Sequence, residues 1–143
     1  MEREVNTGVG EVIRRSDSGQ EDLWKVSWKS AKLEYTDDSR FGGAMNDVSG
    51  VIYENGKPVS QFTATEAVAS KEDNILLLSG EVKVTSVKPE GTLSCEEVRY
   101  DGEKRRIEAS GNVRVDSGLY SAGSFERVYA RPDLTMIATP EWF

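Results

Sequence analysis

The chain has 143 residues and a formal net charge of −7, from 25 acidic and 18 basic side chains, and it contains no histidine and one cysteine. The length predicts one domain with a buried core over residues 1–143. The acidic balance argues against nucleic acid as a partner, because binding a phosphate backbone needs clustered Lys and Arg. The single Cys95 excludes an internal disulfide and a multi-cysteine zinc site, and we predict that it is a small buried residue.

Turn-forming segments recur at nearly even spacing along the chain. Gly, Asn, Asp and Pro supply the backbone conformations that tight turns need. Between them, segments rich in Val, Ile, Thr, Tyr and Trp alternate apolar and polar residues, which predicts about nine antiparallel strands and no helix longer than about two turns. The turn-forming segments are 17–20, 36–40, 54–58, 71–74, 88–91, 101–104, 116–118 and 131–133.

Two short patterns repeat within the predicted strands. The first is Gly-x-(Val/Ile), and it begins at Gly10, Gly50, Gly80 and Gly111. The second has a large apolar residue, a small residue two positions later and an apolar residue three positions after that. Its copies are Trp28-Ser30-Leu33, Phe62-Ala64-Ala67, Leu93-Cys95-Val98 and Tyr120-Ala122-Phe125.

The spacing of the second pattern predicts a bend. The first two positions share one face of a strand, but the third falls on the opposite face of a regular strand. All three point inward only if the strand carries an extra residue, as in a β-bulge, or passes from one sheet to another. We therefore predict bends near Ser30, Ala64, Cys95 and Ala122, and a stack of hairpins creased into two facing sheets.

Residues 62–115 combine these patterns as apolar-x-Ala, an acidic turn, an aliphatic strand and Gly-x-Val, which then recur. This order resembles the OstA/LptA/LptC superfamily of lipopolysaccharide transport. The resemblance covers about residues 9 to 139, and the divergent first and last units favour LptC over LptA. It implies an all-β fold, an open antiparallel β-jellyroll of repeated hairpins whose two facing sheets form a V-shaped trough.

The resemblance also implies a function, a location and partners. LptC proteins receive lipopolysaccharide from an ABC transporter of the LptBFG kind and pass it to the periplasmic bridge protein LptA. They hold the lipid A acyl chains in the trough and are anchored in the inner membrane by an N-terminal helix. No apolar run in this sequence is long enough for such a helix, so we expect a periplasmic domain whose anchor lies outside this sequence.

The predicted inner face supplies the apolar side chains that a lipid-binding groove needs, with few polar groups. Each of these residues also fits ordinary core packing, and a trough uses its base for packing and its mouth for ligand. The predicted trough residues are Trp28, Leu33, Tyr35, Phe62, Leu76, Leu78, Val82, Val84, Leu93, Val98, Tyr100, Ile107, Val113, Val115, Tyr120 and Phe125.

The outermost strands of an open stack leave backbone groups unpaired. We predict these edges around residues 9–13 and 135–139. The resemblance to LptC implies that strands of neighbouring proteins pair with these edges, and that the C-terminal edge faces the LptA-like partner. The same edges also allow self-association. The predicted partner edge comprises Thr135, Met136, Ile137, Ala138 and Thr139, a run without charge.

An enzyme is not expected. The absence of histidine removes imidazole bases and histidine-activated nucleophiles, and the adjacent acids Glu96 and Glu97 would point to opposite faces of a strand. No calcium-loop or phosphate-loop motif occurs, so no metal or cofactor is predicted. The alternative to lipid transfer is a structural β-solenoid or adhesin-like repeat domain with a filled interior and no ligand.

Overall fold

The computed structural model describes residues 2–16, 18–36, 41–70, 74–87 and 90–142. Within these ranges the protein is all-β, and its helical content is a single 3₁₀ turn at Pro140–Trp142. The eleven strands are β1 (Glu2–Thr7), β2 (Gly10–Arg15), β3 (Asp22–Trp28), β4 (Ser30–Thr36), β5 (Phe41–Glu54), β6 (Lys57–Ala69), β7 (Ile75–Ser86), β8 (Gly91–Asp101), β9 (Arg106–Asp116), β10 (Ser121–Ala130) and β11 (Ile137–Ala138).

Every strand pair is antiparallel, and from β5 onward each strand pairs with the next one in the chain. The N-terminal strands pair differently. Residues 41–46 of β5 pair with β4, which pairs with β1, whereas residues 49–52 of β5 pair with β3, which pairs with β2. One long strand therefore borders two separate strand pairs, which divides the sheet into two halves.

The division continues across the sheet as a line of irregular pairing, which we call the crease. The register shifts between Thr63 and Glu66 in the β6–β7 pair and between Ser94 and Glu97 in the β8–β9 pair. The β7–β8 and β9–β10 pairs shift at the same level. Each of the strands β5 to β10 contributes one segment to each half-sheet. The first half-sheet contains β1, β4, β11 and residues 41–46, 66–69, 75–79, 97–101, 106–110 and 127–130. The second half-sheet contains β2, β3 and residues 49–54, 57–63, 82–86, 91–95, 113–116 and 121–125.

The crease lies where the repeated small residues predict it. Ala64, Cys95 and Ala122 each lie at a register shift, and Ser30 begins β4 directly after the break that separates it from β3. This confirms the predicted all-β, creased jellyroll with an open antiparallel sheet. Glu96 and Glu97, which a regular strand would place on opposite faces, are both exposed, because the extra residue of the bulge interrupts the alternation.

The four repeated glycines are needed for different structural reasons. Gly80 and Gly111 lie in the crease with φ of +79° and +81°, a conformation that favours glycine. Gly50 lies beyond the crease, and a Cβ atom there would approach the Phe62 ring to 2.2 Å. Gly10 faces the Trp28 indole, with a built Cβ at 3.0 Å. Two of the four glycines therefore serve the crease, and the other two make room for a large side chain.

The sequence predicts about nine strands and the structure has eleven, because the two N-terminal strands are divided at the crease. β1 and β2 are separated by Gly8 and Val9, and β3 and β4 by Lys29. β5 through β10 cross the crease without a break. The first predicted edge strand, residues 9–13, accordingly overlaps β2 from Gly10 onward, and β1 forms the N-terminal edge of the other half-sheet.

The two half-sheets pack face to face and form one apolar core. The internal strands alternate between buried and exposed side chains, as in residues 60–64 of β6, and this alternation is interrupted at the crease. In β10, by contrast, residues 121–127 are all exposed. Burial of this inner face is the main stabilising contribution to the fold. The largest fully buried side chains include Phe62, Met45, Ile52, Leu76, Leu93, Ile107, Val26, Val82, Val84 and Val113.

Alanine at Gly111 should destabilise the fold more than alanine at Gly118. Both glycines have positive φ, +81° and +90°, which costs a non-glycine residue about 1 kcal/mol. At Gly118 an added Cβ meets nothing within 4 Å, whereas at Gly111 it lies 2.4 Å from Glu96 Oε2 and 2.8 Å from Glu96 Cβ. We expect urea unfolding to show a loss of about 1 kcal/mol for Gly118→Ala and about 2–3 kcal/mol for Gly111→Ala. Equal losses would show that the crease is not crowded there.

Candidate functional site

Most of the predicted trough residues lie on the inner face, between the two half-sheets. Their side chains are at most 5% exposed, so they pack against one another in the closed sandwich. These buried residues are Trp28, Phe62, Leu76, Leu78, Val82, Val84, Leu93, Val98, Tyr100, Ile107 and Val113.

Leu33 and Val115 are partly buried at the border of this core, and the side chain of Tyr35 lies outside the described part of the structure. Tyr120 and Phe125 differ, because they are 79% and 39% exposed. Phe125 pairs directly with the buried Val113, so it belongs to the same face of the sheet. It is exposed because β10 is the last strand of the second half-sheet.

The C-terminal end of the sandwich therefore presents an exposed apolar group. Leu119 and Tyr120 are 91% and 79% exposed in the turn before β10, and Phe125 follows in the strand. Among the described residues, the first half-sheet ends in β11, which pairs with Tyr129 and Ala130. We call Leu119, Tyr120 and Phe125 the C-terminal apolar group. Within this group, Phe125 continues the inner face to the protein surface.

The ends of the two half-sheets that lie away from the crease meet each other, and we call this line the mouth. Trp24 of the second half-sheet donates a hydrogen bond from Nε1 to Asn74 Oδ1, 3.3 Å away, just before β7 of the first half-sheet. Glu54, at the end of β5, forms an ion pair with Arg105 in the β8–β9 turn, with 3.9 Å between Oε2 and Nη1. These two contacts close the mouth above the apolar core.

A polar cavity of about 450 Å³ lies at the Glu54–Arg105 contact. Its acidic side chains are Glu54 and Asp133. Burial raises the pKa of Glu54, and the nearby Asp133 carboxylate raises it further, while Arg105 and Arg131 lower it. The remaining lining residues are Lys104, Arg105, Arg131, Pro132 and Thr135.

The outer face of the first half-sheet carries a polar network. Glu108 accepts hydrogen bonds from Arg99 and Arg106, at 3.1 and 3.2 Å. The Arg106 guanidinium also lies 4.4 Å from the centre of the Tyr129 ring. Burial works to raise the pKa of Glu108, but hydrogen bonds from Arg99 and Tyr129 and the charges of Arg99 and Arg106 outweigh it, so the pKa is lowered overall. This network joins β8, β9 and β10 and is structural.

The described residues contain no cluster of acidic or cysteine side chains that could hold a metal ion. Cys95 is 8% exposed, as predicted, and its thiol donates to the Glu97 carbonyl oxygen at 3.2 Å. Burial raises the pKa of this thiol to about 11, which keeps it protonated and unreactive near neutral pH.

The C-terminal edge differs from the sequence prediction. Of residues 135–139, only Ile137 and Ala138 form a strand, because the chain turns at residues 131–136 before it returns to pair with the end of β10. In the second half-sheet the last strand is the segment 121–125 of β10, which pairs with β9 on one side and with no other described strand. The longer free edge therefore lies at Ser121–Phe125.

No helix among the described residues is long and apolar enough to span a membrane. A comparison with curated proteins finds no match. A comparison with protein families matches residues 18–124 to the family described as Lipopolysaccharide-assembly, LptC-related. The chain belongs to the LptC-related family.

Membership of the LptC-related family agrees with the creased antiparallel sheet, and it assigns the chain a role in lipopolysaccharide transport. The matched residues run from the turn before β3 to the middle of β10, so they include the crease and most of the inner face. The periplasmic domain of an LptC-related protein is consistent with this architecture. The family is one of transport and binding proteins.

Proposed function

We propose that this domain binds lipopolysaccharide by its acyl chains on the inner face and passes it from an inner-membrane ABC transporter to an LptA-like bridge protein. The observation that carries the proposal is the apolar inner face, which reaches the surface at the exposed C-terminal apolar group. Each acyl methylene removed from water contributes about 0.8 kcal/mol. A few partly buried chains are then held firmly without a specific anchoring residue.

In this proposal the two ends of the sheet contact different partners. The N-terminal edge, β1 and β2, faces the transporter, and the edge at Ser121–Phe125 adds to a strand of the LptA-like protein. Strand addition at this edge places the C-terminal apolar group next to the partner's own inner face. The lipid then moves along a continuous apolar surface. The protein acts in the periplasm, held at the inner membrane by an anchor outside the described structure.

The packing of the core sets a condition on this function. The side chains of Phe62 and Leu78 are each 2% exposed, so acyl chains reach them only if the two half-sheets separate. The mouth contacts Trp24–Asn74 and Glu54–Arg105 hold the half-sheets together. We therefore assign the described structure to a closed state of the sandwich.

A photo-crosslinking amino acid at Phe125 or Leu119 tests the proposed function. These positions are already exposed, so the substitution leaves the core intact, whereas a change at Phe62 would destabilise the fold by about 3–5 kcal/mol. We expect crosslinks to lipopolysaccharide when the protein is isolated from a host that makes this lipid. Matched positions on the outer face, Lys83 and Arg114, are exposed and should give none. Crosslinks from the outer positions alone would contradict the trough.

The alternative, a structural repeat domain without ligand, draws support from the filled core. Lipid extraction with mass spectrometry distinguishes the two functions. A structural domain carries no lipid even when purified from a lipopolysaccharide-producing host, and its crosslinker at Phe125 captures none. Recovery of acylated lipid from the wild-type protein, together with crosslinks at Phe125, favours the transfer function.

A further inference from the structure

Three cationic side chains line the cavity at the mouth. Lys104 and Arg105 come from the β8–β9 turn, and Arg131 comes from the turn between β10 and β11. This group of positive charges contrasts with the net charge of −7 of the whole chain. Among the ion pairs of the described residues, only Arg105 has an acidic partner in this cavity, which is Glu54.

The β8–β9 turn holds its two cations on a fixed backbone. Asp101 Oδ1 accepts hydrogen bonds from the backbone N–H groups of Glu103 and Lys104, each at 3.1 Å. Asp101 is itself only 7% exposed. Because these hydrogen bonds fix the backbone of the turn, Lys104 and Arg105 lie on a preorganised segment.

The second turn is equally well held. The N–H of Arg131 donates to Met136 O at 3.0 Å, and the N–H of Leu134 donates to Arg131 O at 2.8 Å. Pro132 and Leu134 of this turn are buried, and Pro132 also lines the cavity. Asp133 Oδ1 accepts from Thr135 N and Oγ1, at 3.0 and 2.6 Å. The Asp133 carboxylate is therefore engaged within its own turn.

Glu54 is a weak partner for Arg105. The two charged atoms are 3.9 Å apart, longer than the roughly 2.7–2.9 Å of a charge-assisted hydrogen bond. The raised pKa of Glu54 also indicates that its carboxylate is less favourably placed than it would be in water. A ligand with two negative charges and several acceptor oxygens would interact with Arg105 more strongly than Glu54 does.

We propose that the mouth cavity binds a phosphate monoester through Lys104, Arg105 and Arg131, and that the phosphate displaces Glu54 from Arg105. The inference rests on the proposed function, in which the ligand is a lipid whose headgroup carries phosphate; free phosphate is the other source of the same chemistry. Binding the headgroup there removes one of the two contacts that close the mouth. Recognition of the headgroup is thereby coupled to separation of the half-sheets.

The test compares phosphorylated lipid A with the same lipid after phosphatase treatment, in a fluorescence binding assay with the full chain. We expect the wild-type protein to bind the phosphorylated form about tenfold more tightly. The double variant Lys104→Gln/Arg131→Gln should lose this preference and retain affinity for the dephosphorylated form. Lys83→Gln/Arg114→Gln, a matched removal of two exposed cations on the outer face, should keep the preference. Equal affinity of the wild type for both forms would overturn the proposal.

Inorganic phosphate separates the two sources and also separates this inference from the proposed function. In a titration followed by NMR, shifts of the Lys104 and Arg105 amide resonances that are absent from the double variant show that phosphate alone is sufficient. If the wild-type protein prefers the phosphorylated lipid tenfold but inorganic phosphate causes no such shifts, the site binds phosphate only as part of the lipid headgroup. If neither lipid binds, the lipid function fails, and the phosphate shifts alone decide the site: their presence supports it and their absence overturns it.

Substitution of Glu54 tests the displacement step. Glu54→Gln leaves Arg105 without its competing carboxylate, so affinity for phosphorylated lipid A should rise about threefold or more. The control is Glu103→Gln, which makes the same change of charge in the β8–β9 turn. Glu103 does not line the cavity. An equal rise in both variants would show a general electrostatic effect and would overturn the displacement of Glu54.

Discussion

Covalent closure of the mouth should abolish lipid uptake. In the variant Glu54→Cys/Arg105→Cys, a bis-maleimide joins the two half-sheets at the position where the ion pair holds them in the structure. Because Phe62 and Leu78 are almost completely buried in the closed sandwich, acyl chains have no access to the inner face until the halves separate. We expect loss of lipopolysaccharide binding by at least about a hundredfold, measured by native mass spectrometry, since several methylenes of each chain stay in water.

The same double variant treated with a monofunctional maleimide is the matched control. It has the same two substitutions and the same modified thiols, so only the covalent link differs. Cys95 does not complicate the labelling, because it is buried and its pKa is raised to about 11. If the linked protein bound lipid as well as the control, lipid would be held without separation at this point, and the mouth would not be its route.

The crease is the part of this architecture that the sequence predicts best. A small residue followed three positions later by an inner-face residue breaks the two-residue period of a strand, and Ala64, Cys95 and Ala122 lie at register shifts for this reason. The Gly-x-Val pattern is less informative. Gly80 and Gly111 adopt positive φ in the crease, but Gly50 has the same spacing and instead accommodates the Phe62 ring.

Alternation also identified most of the inner face, because burial on a strand follows a local period. It could not distinguish Tyr120 from Phe62, which occupy corresponding positions in the second pattern and are 79% and 2% exposed. Exposure at this position depends on which strand is last in the second half-sheet. That is a property of the complete topology, and the local pattern of β10 is the same as that of an internal strand.

The mouth was not predicted from the sequence. Trp24 and Asn74 are 50 residues apart in the chain. Glu54 begins the predicted turn 54–58 and Arg105 directly follows the predicted turn 101–104, and neither turn indicates the contact between them. Their contact depends on the angle at which the crease folds the sheet, and no local pattern encodes that angle. The predicted C-terminal edge strand, residues 135–139, is shortened to Ile137–Ala138 for a related reason. An uncharged run at residues 134–139 predicts a strand, but Pro132 and Leu134 are buried in the core and draw the chain into a turn.

Proline substitution should locate the docking edge with a large effect on partner binding. In an antiparallel strand, successive N–H groups point in opposite directions, so one of Ser121 and Ala122 directs its N–H toward β9 and the other directs it away. Proline at the position that points away removes a donor for an incoming strand and leaves the β9 ladder intact. Proline at the neighbouring position breaks that ladder and destabilises β10. The two variants therefore serve as controls for each other.

We expect one of Ser121→Pro and Ala122→Pro to keep the thermal unfolding temperature of the wild type and to lose co-purification with an LptA-like protein. The other should unfold at a lower temperature. This pairing of results identifies the free edge at Ser121–Phe125 as the docking strand, because a general loss of structure would affect stability and binding together. Undiminished co-purification by the variant of wild-type stability would exclude this edge. The partner would then have to bind at β11, whose two residues offer only a short template for strand addition.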